Sequence, residues 1–233
     1  MQLRGLVLTT DSWLNSAFTK SAAEFGLETH LARTASVASG QLSRTKYEAV
    51  ILDFDTIAQT SSVLAEIRKS PSNKTAVVFA VATDYLCMKA AAQDGANYLL
   101  CRPIDRAQIK RNLAAAHETM LSEKRGYFRY STRLPVSLIR NGSDNIQCTS
   151  INISRGGVGI ETPVALTVGE WVRISFKLPE EAYIESDSQV IWDDGHGKSG
   201  IHFEDMNSEM QVKLYSWLDN QFATAWLSST RHD

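Results

Sequence analysis

Residues 134–162, LPVSLIRNGSDNIQCTSINISRGGVGIET, read as three short strands separated by turn chemistry. Apolar and β-branched residues fill 134–140, 146–153 and 157–162, while Asn141-Gly142 and Ser154-Arg-Gly-Gly157 supply the turns. The same rhythm continues downstream in strand candidates at 171–178, 184–193 and 199–204, with Thr167-Val-Gly169 and Asp193-Asp-Gly-His-Gly197 between them. Six short strands at such spacing predict a small antiparallel barrel or sandwich. A helix follows over about 207–226, with Leu214, Trp217, Leu218, Phe222 and Ala225 on one stripe that packs against the strands.

Upstream the pattern is different. Gly5-Leu-Val-Leu8, Ala49-Val-Ile-Leu52, Ala76 to Ala82 and Asn97-Tyr-Leu-Leu-Cys101 are apolar runs too short for helices and without alternation. Parallel strands buried on both faces read in this way. A weaker strand fits at Glu28 to Ala32, and helical segments fall at 11–25, 35–44, 57–69, 84–94 and 105–121. The last carries Ile109, Leu113, Ala116 and Met120 on one stripe. Five βα units predict an open parallel sheet with helices on both faces. The expected organisation is an α/β domain over 1–121 and an all-β domain over 122–233.

Composition narrows the function classes. The chain has 233 residues, 43% hydrophobic and 21% charged, with a formal net charge of −2. That balance suits two globular domains and argues against DNA binding driven by bulk charge. The longest apolar run, Ala76 to Ala82, falls far short of the roughly 20 residues of a membrane helix. With no signal-peptide pattern at the N-terminus, the expectation is a cytoplasmic protein without membrane insertion. Cys87, Cys101 and Cys148 form no CxxC pair, and the five histidines show no HxxxH or HExxH spacing, so no metal is expected. Glu180-Glu181 and Asp193-Asp194 are adjacent pairs that point apart, and no GxSxG, Walker or GxGxxG motif occurs. Neither an enzyme nor a cofactor is expected.

One local feature stands against the acidic second half. Residues 124–140 hold Lys124, Arg125, Arg129, Arg133 and Arg140 and no acid. A basic cluster in an acidic domain invites a specific anionic ligand, against the plainer reading of a solvated linker. Arg125-Gly-Tyr-Phe-Arg129, followed by Asn152-Ile-Ser154-Arg-Gly-Gly157, resembles the PilZ family: RxxxR before the first strand and [D/N]xSxxG after the second. Arg129-Tyr-Ser-Thr-Arg133 also reads RxxxR, but Arg133 already adjoins the strand, which favours the Arg125/Arg129 frame. Val190-Ile-Trp192 and Ser199-Gly-Ile-His-Phe203 are similar to the family's later strands.

The resemblance implies a six-stranded antiparallel barrel with a C-terminal helix, and cyclic di-GMP as ligand. Its two phosphodiester charges suit guanidinium forks, here Arg125 and Arg129 on a flexible segment around 121–130. Asn152 and Ser154 would meet a guanine edge, although an amide accepts only through its oxygen where Asp would offer two. Gly157 would allow close backbone approach. Lys124, before the first Arg, goes in the family with an intercalated ligand dimer. Arg133 and Arg155 are expected to flank the site, and Trp192 and Trp217 to belong to the core.

The first half resembles a response-regulator receiver, a flavodoxin-like fold. Ala49-Val-Ile-Leu-Asp53 matches the strand that ends in the phosphoacceptor, and Asp94-Gly-Ala-Asn-Tyr-Leu-Leu-Cys-Arg-Pro103 matches the family's AGADDYLxKP segment. Asp53 is therefore the candidate phosphoacceptor. Phosphotransfer also needs a carboxylate pair after the first strand to hold Mg²⁺. Thr9 and Thr10 stand there, with Asp11 one place late, and Arg102 replaces the family's Lys. A pseudo-receiver is the expectation, with a role in protein contact, dimerisation through a helix–strand face included. Three functions follow: a cyclic di-GMP receptor that relays the signal to a downstream partner, an interaction module without nucleotide, and a phosphorylation-gated regulator.

Overall fold

The computed structural model describes residues 2–140, 142, 144–179 and 182–230. The chain divides into two compact units, one built from the chain up to Lys124 and one from Arg125–Ser228.

In the first unit, strands β1 (Leu3–Leu8), β2 (Leu27–Ala32), β3 (Ala49–Asp53), β4 (Val77–Ala82) and β5 (Tyr98–Cys101) form one parallel sheet in the order β2-β1-β3-β4-β5. Helices α1 (Ser12–Ala23), α2 (Ala35–Leu42), α3 (Thr60–Lys69), α4 (Tyr85–Gln93) and α5 (Arg106–Gly126) alternate with the strands. Every residue of β3 and β4 is buried, as unalternating apolar runs require when helices cover both faces. The α5 stripe of Ile109, Leu113, Ala116 and Met120 is fully buried.

Helix α5 departs from the sequence reading: it continues to Gly126, so Arg125 lies in its last turn and not in a flexible segment. Ser122, Glu123, Lys124 and Arg125 include no breaker, and helix-tolerant residues carry the turn on until Gly126.

In the second unit, β7 (Pro135–Arg140), β8 (Asp144–Ser154), β9 (Gly157–Glu161), β10 (Trp171–Lys177), β11 (Tyr183–Asp193) and β12 (Lys198–Asp205) pair antiparallel in the ring order β8-β7-β10-β11-β12-β9. The β8–β9 pairing closes it, making a six-stranded barrel. A two-residue strand that sequence reading did not foresee, β6 (Tyr130–Ser131), adds to β8. Val136, Leu138, Ile153, Ile160, Ile174, Ile184, Val190 and Ile201 fill the interior.

Helix α6 (Ser208–Thr230) lays Leu214, Trp217 and Leu218 on that core. Tyr130 meets Trp217 edge-on at 5.3 Å, and Phe128 meets Phe222 at 5.4 Å. These aromatic contacts fix the segment that enters the barrel.

A cleft between the entry segment, β8–β9 and β11–β12

Three stretches of chain meet at one cleft of about 260 Å³ in the second unit. Gly126, Tyr127 and Arg129 come from the entry segment, Asn152, Ser154 and Gly156 to Gly159 from the β8–β9 hairpin, and Ile191, Trp192, Gly200, Ile201 and His202 from β11 and β12. Register explains the hairpin's share. Asn152 pairs with Gly159 and Ser154 with Gly157, so both polar side chains stand over glycines. A Cβ on Gly159 would lie 3.3 Å from Asn152 Nδ2, which shows how closely the amide rests on that strand. Ser154 Oγ donates to the Gly157 carbonyl at 3.1 Å and ties the turn.

Gly157 has a steric reason to be glycine. Facing His202 across β9–β12, it would place a Cβ 2.2 Å from the Ile201 carbonyl oxygen. No side chain fits there.

Arg129 lines the cleft and is exposed. Arg125 lies 5.7 Å from the Phe222 ring centroid in cation–π contact and does not line the cleft. Arg133 is engaged by the Glu161 carboxylate, and Arg155 donates to Asp219 at 2.6 Å while stacking at 4.8 Å on Tyr215. Neither lines the cleft. Lys124 belongs to the first unit, with Nζ 3.3 Å from Oε1 of the fully buried Glu48, whose Oε2 accepts the Arg4 N–H at 2.8 Å. Of the six residues singled out as binding candidates, the cleft gathers Arg129, Asn152, Ser154 and Gly157.

Residues 123–220 match the family described as PilZ domain. The C-terminal unit carries a PilZ domain. Its sequence motifs, the Arg129 entry segment and the Asn152–Gly157 hairpin, are the parts that line the cleft. Among solved structures, the inhibitor of motility from Bacillus subtilis is similar at 23% identity over 41% of this chain and 50% of its own, with a TM-score of 0.37. The receiver domain of a sensor histidine kinase from Pseudomonas aeruginosa is similar at 19% identity over 51% of this chain and 99% of its own, with a TM-score of 0.45. The Vibrio cholerae chemotaxis response regulator CheY4 is similar at 13% identity over 49% of this chain and 98% of its own, with a TM-score of 0.46. The receiver structures correspond to the N-terminal half. No curated protein matches the chain.

The PilZ cleft contains residues that sequence reading missed. Trp192 was expected in the core, where Trp217 does sit at 3% exposure; Trp192 is instead 43% exposed and lines the cleft. Tyr127 and His202 join it. The irregular register between Val190 and Trp192 sets which way the indole faces, and no local signal reports such a bulge.

The receiver-like unit has its own polar cluster. Asp53 is fully buried at the end of β3. Its Oδ2 accepts from Thr9 Oγ1 at 2.5 Å, Thr56 Oγ1 at 2.8 Å and Arg102 Nη2 at 3.0 Å. Arg102 also reaches Asp11 at 2.8 Å and Asp55 at 3.0 Å. Burial opposes the Arg102 charge, but Asp11 and Asp53 outweigh it and hold the guanidinium above its ordinary value. Leu14 N–H first, then Arg102 against the effect of burial, holds the Asp11 carboxyl below the usual range. Among the described residues no group of three or more His, Cys, Asp or Glu is arranged to hold a metal ion, and no helix is long and apolar enough to cross a membrane.

Proposed function

We propose that this protein is a bacterial receptor for cyclic di-GMP, and that its PilZ cleft takes the ligand and passes the signal on through protein contact. The observation that supports this is the convergence of Arg129, Asn152, Ser154 and Gly157 on one open cleft from two separate stretches of chain. Arg129 offers a charged fork to a phosphodiester, and Asn152 and Ser154 offer short polar groups to a guanine edge. Gly157 lets β9 lie close against β12, which seats the hairpin that presents those groups.

Arg125 stands four residues before Arg129 and supplies the second guanidinium once the last turn of α5 gives way to the ligand. Lys124 serves the ligand only by leaving Glu48, a fully buried carboxylate that also accepts the Arg4 N–H and lies in the field of Lys46. Giving up such a pair is costly, because it takes an ion-pair partner from a buried charge. A single ligand held by the arginines alone is therefore favoured over an intercalated pair.

In this reading the protein works in the cytoplasm without a catalytic step, a cofactor, DNA or membrane insertion. The receiver-like unit serves protein contact, with a homodimer or a downstream protein as its partner.

Calorimetric titration of cyclic di-GMP into the full chain tests the proposal. Micromolar or tighter binding is expected, with one ligand per chain, and Arg125→Ala/Arg129→Ala should lose it. No heat from the wild type at high ligand concentration would overturn the receptor reading in favour of an interaction module without nucleotide.

A further inference from the structure

We infer that His202 is a proton-linked contact for a phosphodiester of the ligand, so that nucleotide binding strengthens as pH falls through the imidazole range; this deepens the cyclic di-GMP reading and rests on it. Among the described residues lining the cleft, Arg129 carries the one permanent charge and none is acidic. Arg125 stacks on Phe222, Lys124 pairs with Glu48, and Arg133 and Arg155 are held by Glu161 and Asp219. A ligand with two phosphodiester charges therefore meets one fixed cation on the cleft wall. His202 is the other lining residue that can become a cation.

The barrel fixes where the imidazole stands. Ile201 is buried in the interior, and His202, the next residue on β12, is turned outward and exposed. It pairs with Gly157 of β9 on one side and Gln189 of β11 on the other, so its cross-strand neighbours are a glycine and an uncharged amide. A Cβ on Gly156 would lie 3.6 Å from His202 Cε1 and 3.8 Å from Nδ1, which sets the ring edge against the turn that follows Ser154. Charged side chains on the surrounding elements have other partners. Arg155 on the turn is held by Asp219, Glu161 on β9 by Arg133, and Asp187 on β11 by Arg173. Glu204, two residues further along β12, is exposed and is present with or without ligand.

A ring beside the Gly156-Gly157 turn also fills space, but that use needs no charge. An imidazole changes charge between about pH 5 and 8, and a bound phosphodiester favours the charged form. Binding then takes up a proton, and by reciprocity lower pH favours binding. Arg129 reads the ligand's charge at every pH, whereas His202 reads it only when protonated.

The test is calorimetric titration of cyclic di-GMP into the full chain near pH 5.5 and near pH 8, in buffers of different ionisation enthalpy, with thermal unfolding of each variant. Wild-type affinity is expected to be about fivefold higher at the lower pH, with net proton uptake on binding. His202→Gln should match wild type near pH 8 and lose both the rise and the uptake. His202→Lys, which keeps a permanent charge, should bind equally well at the two pH values and keeps the test valid if His202→Gln unfolds. A flat wild-type profile, or a rise that survives in His202→Gln, would overturn the inference and leave the nucleotide reading standing. Absence of binding by the wild type at both pH values would overturn the two together.

Discussion

Arg102 Nη2 lies 3.0 Å from Oδ2 of Asp53, a carboxylate with no solvent exposure. The same guanidinium reaches Asp11 and Asp55, so one cation serves a cluster of three carboxylates. Asp53 Oδ2 also accepts two threonine hydroxyls, so the carboxylate of this candidate phosphoacceptor is already engaged. Treatment with a small-molecule phosphodonor and Mg²⁺ should leave the intact mass of the protein unchanged. Arg102→Ala should destabilise the N-terminal unit by about 3 kcal/mol, because it leaves a buried carboxylate unpaired. Urea unfolding followed by circular dichroism checks this.

Gly157→Ala should damage the barrel before it damages any ligand contact. The added methyl meets the Ile201 carbonyl oxygen, a backbone atom that cannot turn aside. A cost of about 1–3 kcal/mol is expected, as for other overpacked sites. Denaturant unfolding of the variant against wild type measures it, and an unchanged midpoint would contradict the close approach of β9 and β12.

Asn152→Asp should tighten cyclic di-GMP binding about threefold to tenfold, if Asn152 meets the guanine edge. A carboxylate accepts two N–H bonds from that edge where the amide accepts through one oxygen, and a charged acceptor forms the stronger bond. Calorimetry of the variant reads the change directly. Equal or weaker affinity would move the guanine away from Asn152.

The acid limb of stability should carry the mark of Asp11. Its folded-state pKa is depressed, chiefly by the Leu14 N–H and further by Arg102, against the opposing effect of burial. Such a group stabilises the fold above its unfolded value, about 3.9, and loses that contribution as pH falls through the lower folded value. Asp11→Asn keeps a side-chain oxygen for the α1 cap but gives up the charge facing Arg102. The wild-type advantage over Asp11→Asn in urea midpoint should be constant near neutrality and shrink below about pH 4.

Much of the fold was legible because it depends on local pattern. Unalternating runs such as Val77–Ala82 can be buried only between two helical layers, and turn residues such as Thr167-Val-Gly169 separate strands wherever they fall. The barrel's ring order and its small extra strand at Tyr130–Ser131 were not legible in the same way, because they depend on which strand edges meet. The site divides along the same line. Arg129, Asn152, Ser154 and Gly157 could be singled out through the resemblance to the family's two short motifs.

What the sequence by itself determined was the two-part architecture and the chemical types present in the two motifs, because periodicity and spacing are properties of neighbours along the chain. Only the tertiary structure decided which charges are already engaged. Lys124 pairs with Glu48, Arg133 with Glu161 and Arg155 with Asp219, each across a long stretch of sequence. The fold likewise turned Trp192 from an expected core residue into a wall of the cleft, through a register shift in β11 and a glycine in β12. Ion pairs and exposed ring faces depend on distances through space, and those exist only once the strands have closed.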